Sequence, residues 1–249
     1  MSRKQNTLKG SRPERAAVRV ARNIVNDIKV RSLGPGTPLE PEHIMVEKQG
    51  VARATVREAL RFLELQGALR IKAGPRGGPV VSVPGVADLT SALSLQLQFA
   101  DASFRSVIDA RMAIYPVLAG QAAKHATHQD IRALHQCIDR LREAVKESDA
   151  LAAEARQFQE LVAVASKNLV LGFLLNALHR MSENAGIEYD FDQRQASVRQ
   201  MAKILQAIEK SDSEAAQAVT ERMLKAALRY WEKAAPDLLN EPVSWTTAD

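Results

Sequence analysis

The chain has 249 residues, 46% of them hydrophobic and 4% aromatic, with one cysteine and a formal net charge of +5. That length carries one large domain or two modest ones around a sizeable core, and a single cysteine excludes an internal disulfide and a cysteine-only metal cage. No apolar run approaches the roughly 18–20 residues that cross a bilayer, and the basic, polar start MSRKQNTLKGSRPERAA has no apolar stretch of the secretory kind, so no membrane association and a cytoplasmic protein are expected.

Residues 1–14 read as a disordered basic arm. From Arg15 a helical period runs to about Arg31, with Ala17, Val20, Ala21, Ile24, Val25 and Ile28 on one stripe. SLGPGTPL (32–39) is a turn-rich break, and its GPGT is no phosphate loop because no Gly-Lys-Ser/Thr follows. A short helix starts at Pro41, where the missing N–H costs nothing and Glu42 suits the positive helix end, and it stops at Gly50. A second helix runs from Arg53 to Gln66 and closes at Gly67. ALRIKA and PVVSV then flank GPRGG as a hairpin with a glycine-rich tip, a wing. The first domain is therefore placed at 15–83.

A linker and connecting helix follow at 84–100, then a helical body at 101–235 and a frayed tail at 236–249. Helices are expected at about 86–98, 101–125, 128–147, 150–166, 168–185, 192–210 and 212–233, with Asx or Ser residues at many of the breaks as N-caps. The predicted fold is mainly α: an N-terminal winged helix-turn-helix and a C-terminal antiparallel helical bundle. Cys137, in LHQCIDRL, reads as a packing position.

Charge is unevenly spread. Residues 1–83 hold 16 Lys and Arg against 7 Asp and Glu, while the rest of the chain carries a net −4. A basic first third on a mildly acidic body suits contact of one part with a polyanion. At about 100° per residue, Arg53, Arg57 and Arg61 fall within roughly 80° of arc on the second helix. Val56, Ala59, Leu60, Phe62 and Leu63 take the opposite side. Such a helix fits the DNA major groove, where arginine bonds bidentately to guanine O6 and N7. Arg53, Thr55 and Arg57 are the expected base readers, and Arg61 the expected phosphate contact.

The segment PGTPLEPEHIMVEKQGVARATVREALRFLELQGALRIKAGPRGGPVV resembles the DNA-binding domain of GntR-family transcription regulators, with the GPRGG tip of the FadR-like subgroup. The resemblance implies homodimers on palindromic double-stranded operators, with Arg76 and Gly77 at a wing tip near the minor groove. Two positions depart from the pattern. Ala52 stands where Ser or Thr usually precedes the recognition-helix arginine, and His43 replaces a DNA-contacting arginine of the preceding helix. The first change removes an N-cap worth about 1 kcal/mol. The second removes a guanidinium fork, so a shifted operator preference or weaker affinity is expected.

Residues 101–233 resemble the all-helical FCD domain of that subgroup, through DARMAIYPVLAGQAAKHAT, FQELVAVASKN and MAKILQAIEKSDSEAAQAV. Many members hold a divalent metal there with an Asp-x-x-x-His pair and two further histidines, and sense a small organic acid. The corresponding positions here are Ala155, Gln159, Met201 and Met223, a poor donor set for a hard or borderline dication. No metal or other cofactor is therefore expected, and a pocket more apolar at that place. His125, His128 and His135 lie close in sequence but lack a carboxylate at suitable spacing. Arg111 stands where such bundles turn a basic residue inward, as an anchor for a carboxylate or phosphate or as a surface residue. Tyr115 replaces a common acidic residue, and His179 is either packed or pocket-lining.

The expected function is that of a sequence-specific transcription regulator, a repressor, controlled by an organic acid or acyl thioester bound without metal. The alternative is a constitutive dimeric DNA-binding protein with no effector. No Gly-x-Ser-x-Gly, His-Glu-x-x-His, Gly-x-Gly-x-x-Gly or paired-cysteine pattern supports an enzyme.

Overall fold

The computed structural model describes residues 12–74, 77–183 and 189–247, so most of the expected basic arm lies outside the described residues. The chain divides into two compact units, one ending at Asp88 and one beginning at Leu89.

In the first unit, α1 (Arg12–Val30) begins earlier than its apolar stripe does. Val20, Ala21 and Ile24 pack with Met45 of α2 (Glu42–Gln49), with Val56, Ala59, Leu60 and Leu63 of α3 (Arg53–Leu65), and with Leu69 of β1 (Leu69–Lys72). The four α3 residues sit at i, i+3, i+4 and i+7, one stripe of a 3.6-residue period. Phe62, expected on the buried side, is 43% exposed. It lies about 100° from Leu63 around the helix, beyond the edge of the stripe that α1 covers.

Strand β1 pairs antiparallel with β2 (Gly78–Val81), with Leu69 opposite Val81 and Lys72 opposite Gly78. The turn-rich 36–39 segment does more than break the helix, because it adds a third short edge to the hairpin. Gly36 N–H donates to Val81 O at 2.9 Å, Val81 N–H to Thr37 O at 2.9 Å and Leu39 N–H to Pro79 O at 2.9 Å. Periodicity in single strands gives no sign of such a pairing. Gly67 closes α3 at φ 71°, where a Cβ would also overlap the Asp88 carboxylate.

The second unit is helical throughout its core. It contains α4 from Leu89 (the helix spans Val86–Phe99), α5 (Phe104–His125), α6 (His128–Ala144), α7 (Ser148–Ala165), α8 (Leu169–Glu183), α9 (Phe191–Glu209) and α10 (Ser213–Ala234). Helix α5 packs against α7, α8, α9 and α10. Leu118, Ala119 and Ala122, fully buried on it, let these neighbours approach closely.

Several breaks are capped by short polar side chains. Thr127 and Asp130 form a reciprocal capping box at α6, and Asp190 and Asp212 accept from Gln193 N–H and Ala215 N–H at 2.8 and 2.9 Å. Asp101 is not a cap: it sits at φ 49°, and α5 starts after Ser103.

The expected frayed tail is instead packed. A 3-10 turn, Leu238–Asn240, buries Leu239 against Phe104, Ile108, Leu228 and Trp231. Val243 packs with Val107, Leu178 and Met181. Trp245 N–H donates to Gln98 Oε1 at 2.7 Å, and its indole N–H to Ser91 Oγ at 3.0 Å. Among the described residues of this segment only Leu239 and Val243 are buried, too few to form a helical or strand period.

Candidate functional site

Two places gather the chemistry-bearing residues, one in each unit. On α3, Arg53, Arg57 and Arg61 are all exposed, and Thr55 is half-buried beside them. The N-terminus of this helix has no side-chain cap at Ala52; Thr55 N–H closes a turn on Ala52 O at 3.0 Å. Arg53 and Arg61 have no acidic partner among the described residues, whereas Arg57 Nε donates to Glu42 Oε2 at 2.9 Å. His43, the next residue on α2, is exposed.

At the wing, Ile71 N–H donates to Glu64 Oε1 at 3.1 Å, which ties the hairpin to the end of α3. Gly77 N–H donates to Gly74 O at 2.8 Å, and a Cβ on Gly77 would overlap the Lys72 carbonyl. The tight tip therefore requires glycine there. Arg76 lies outside the described residues. This surface presents an exposed guanidinium row, uncapped helix N–H groups and a hairpin, the combination that meets phosphates and base edges.

In the second unit, α5, α7, α8, α9 and α10 line a partly open pocket of about 380 Å³. Arg111, Tyr115, Gln159, His179, Met201 and Met223 all line it, as does Ala155, so the residues singled out in the sequence converge on one space. Arg111 is 8% exposed, which decides between its two readings: it is an inward residue. One Nη donates to Gln159 Oε1 at 3.3 Å and to His179 Nδ1 at 2.7 Å. Arginine cannot accept, so His179 Nδ1 is the acceptor and its proton sits on Nε2, which lies 3.6 Å from Glu183 Oε1.

Burial, reinforced by the Arg111 charge, holds the His179 pKa down at about 4, so the ring is neutral at pH 7. Burial also lowers the Arg111 pKa, while Tyr189, Tyr115 and Glu183 oppose it. The guanidinium still keeps its proton at neutral pH. Burial pushes the Tyr115 phenol up, which keeps it protonated as a donor.

No carboxylate lies within ion-pair distance of Arg111 among the described residues, and Glu183 is engaged by Arg156 at 3.2 Å. Arg111 Nε and Gln159 Nε2 are both buried with no hydrogen-bond partner among the described residues. Part of the lining is apolar, formed by Ile108, Leu228 and Trp231 among others. Trp231 donates to Tyr189 Oη at 2.6 Å. Sequence reading missed Trp231, Tyr189, Arg194 and Glu183 as lining residues. Glu183 is marked by its i,i+4 spacing from His179 on α8, and only the assembled bundle brings in the other three.

The positions that correspond to the metal ligands of the FCD resemblance form a weak donor set. Ala155 offers no donor, Met201 and Met223 offer thioethers, and the Gln159 carbonyl already faces a buried cation. Among the described residues no group of three or more His, Cys, Asp or Glu is placed to hold a metal ion. His135 instead pairs with Glu209 at 2.5 Å. Cys137 is fully buried, and burial with Glu154 nearby pushes its thiol up to about 12, so it is not a reactive nucleophile. No helix among the described residues is long and apolar enough to cross a membrane.

Family models match a stretch of each unit. The family profile described as bacterial regulatory proteins, gntR family, matches residues 16–77, and that of the FCD domain matches residues 106–226. The chain is 27% identical to an uncharacterized HTH-type transcriptional regulator of Mycobacterium tuberculosis, across 86% of this chain and 90% of that one. It is 27% identical to the fatty acid metabolism regulator protein of Pasteurella multocida, across 72% of this chain and 73% of that one. Among solved structures, a GntR protein of Streptococcus agalactiae superposes with a TM-score of 0.68 at 20% identity, covering 86% of this chain and 99% of that chain.

Proposed function

The chain belongs to the gntR family of bacterial regulatory proteins and carries an FCD domain, and from that premise we propose that it is a repressor released from its operator by an organic acid bound without metal. It is a DNA-binding transcription regulator; the sign of regulation, the acid and the absence of metal are our reading. The single observation that carries it is the pair of buried donors, Arg111 Nε and Gln159 Nε2, left without acceptors beside an unpaired buried guanidinium.

A buried unsatisfied donor costs about 1–3 kcal/mol and an unpaired buried charge more. A carboxylate supplies both the acceptors and the counter-charge, in the planar geometry arginine matches best. The apolar lining suits a hydrocarbon or aromatic body, larger and less polar than that of a small dicarboxylate. A free acid suits the site better than an acyl thioester. A thioester brings one neutral carbonyl oxygen to Arg111, and about 380 Å³ falls at the lower end of the range for ligand pockets. The same buried donors argue against a constitutive DNA-binding protein with no effector, because an idle bundle gains nothing from them.

Binding would act by unequal affinity for DNA-competent and incompetent states. We propose a homodimer, with one winged helix on each half of a palindromic operator. A thermal-shift series of aliphatic and aromatic monocarboxylates on the full chain tests the site. An acid at about 100 times its Kd stabilises by about 2.7 kcal/mol, and Arg111→Met should abolish that shift while chelator leaves it unchanged. Stabilisation by zinc or nickel that chelator reverses would overturn the metal-free reading.

A further inference from the structure

We infer that Glu42 is a positioning residue for base reading by Arg57, an inference that rests on α3 entering the major groove. Glu42 opens α2, and its Oε2 accepts from Arg57 Nε across the helix-turn-helix at 2.9 Å. A guanidinium can offer a pair of parallel donors in two ways: through Nε with one Nη, or through both Nη groups at its far end. With Nε held by Glu42, the far edge is the one left free. That edge carries the parallel donors that match guanine O6 and N7. The carboxylate also fixes the planar group in rotation, so less side-chain freedom is lost when the base is met.

Stability is a poor reason for this pair. The two side chains are 63% and 35% exposed, and exposed ion pairs contribute little to folding. The pairing is also selective. Arg53 and Arg61 share the exposed face of α3 yet have no acidic partner among the described residues. A negative charge placed beside a DNA-facing arginine carries an affinity cost, since it repels the phosphates of every sequence alike. Glu42 therefore exchanges general affinity for discrimination at one base pair. This predicts effects of opposite sign, which a merely structural role would not produce.

The test uses the full-length chain and an operator recovered by selection from random duplexes. Wild type, Glu42→Ala, Glu42→Gln and Arg57→Ala are titrated by fluorescence anisotropy against that operator, its single-base variants and a scrambled duplex at one fixed salt concentration. Arg57→Ala should erase the preference at one base pair, a loss of roughly tenfold or more. Glu42→Ala should weaken the preference at that same base pair by a comparable factor while binding the scrambled duplex more tightly than wild type. Glu42→Gln keeps an acceptor for Nε but loses the charge. It should keep the preference and still gain on scrambled DNA.

The inference fails if Glu42→Ala leaves the preference within about twofold of wild type where Arg57→Ala erases it. It fails equally if Glu42→Ala loses affinity for operator and scrambled DNA in the same proportion. If Arg57→Ala itself changes no base preference, the groove reading of α3 is what has failed, and the role of Glu42 falls with it. Thermal melts of each variant separate these outcomes from a folding defect, which an exposed pair should not cause.

Discussion

His179 accepts from a permanently charged arginine and is largely buried, with 16% of its side chain exposed, so protonating it sets two cations side by side in a mostly buried place. Its pKa in the fold, about 4, lies below the ordinary 6.5, and between those values the unfolded chain binds more protons than the folded one. Stability is therefore full above about 6.5 and is lost as pH falls toward about 4, by up to about 1.4 kcal/mol per pH unit. His179→Gln keeps an acceptor for Arg111 and cannot titrate. Urea midpoints measured across that window should fall more steeply with acid for wild type than for His179→Gln; equal slopes would show that His179 is not held neutral. At this scale the sequence was partly legible. Arg111 and His179 stand out as polar residues in apolar helices, but their mutual contact joins positions 68 apart in the chain, and no spacing rule reaches that far.

Helices were the legible elements, because most carry an apolar period and several begin at a short polar cap such as Thr127, Asp190 or Asp212; α2, with Met45 alone buried, was legible from its ends at Pro41 and Gly50. The wing was legible from its glycines and β-branched runs. Two short segments were not: residues 36–39, which pair with β2, and the C-terminal stretch, which buries single residues at irregular intervals. The second omission has a measurable consequence. Leu239 is 4% exposed, among Phe104, Ile108, Leu228 and Trp231, so Leu239→Ala should destabilise the chain by about 2–4 kcal/mol in urea denaturation. A loss below about 0.5 kcal/mol, the ordinary range for surface positions, would mean that the C-terminal segment is frayed after all. Three of the residues that cover Leu239 also line the cavity, namely Ile108, Leu228 and Trp231, so the same substitution should weaken acid binding as well.

At the scale of the whole molecule, the two units divide the chemistry as they divide the charge. The basic first unit exposes arginines beside uncapped helix N–H groups, and the acidic second unit buries one arginine beside donors that need an acceptor. The first arrangement suits a polyanion on an open surface, and the second a small anion in a pocket. The most direct test of this account is an anisotropy titration of the selected operator with the full-length chain, run with and without the best-stabilising acid, for wild type and Arg111→Met. The account predicts saturation at two chains per duplex, at least tenfold weaker operator binding by wild type when the acid is present, corresponding to a coupling of about 1.4 kcal/mol, and no response from Arg111→Met although it binds the operator normally. Operator binding by wild type that is unchanged at saturating acid, or weakened equally in Arg111→Met, would contradict it.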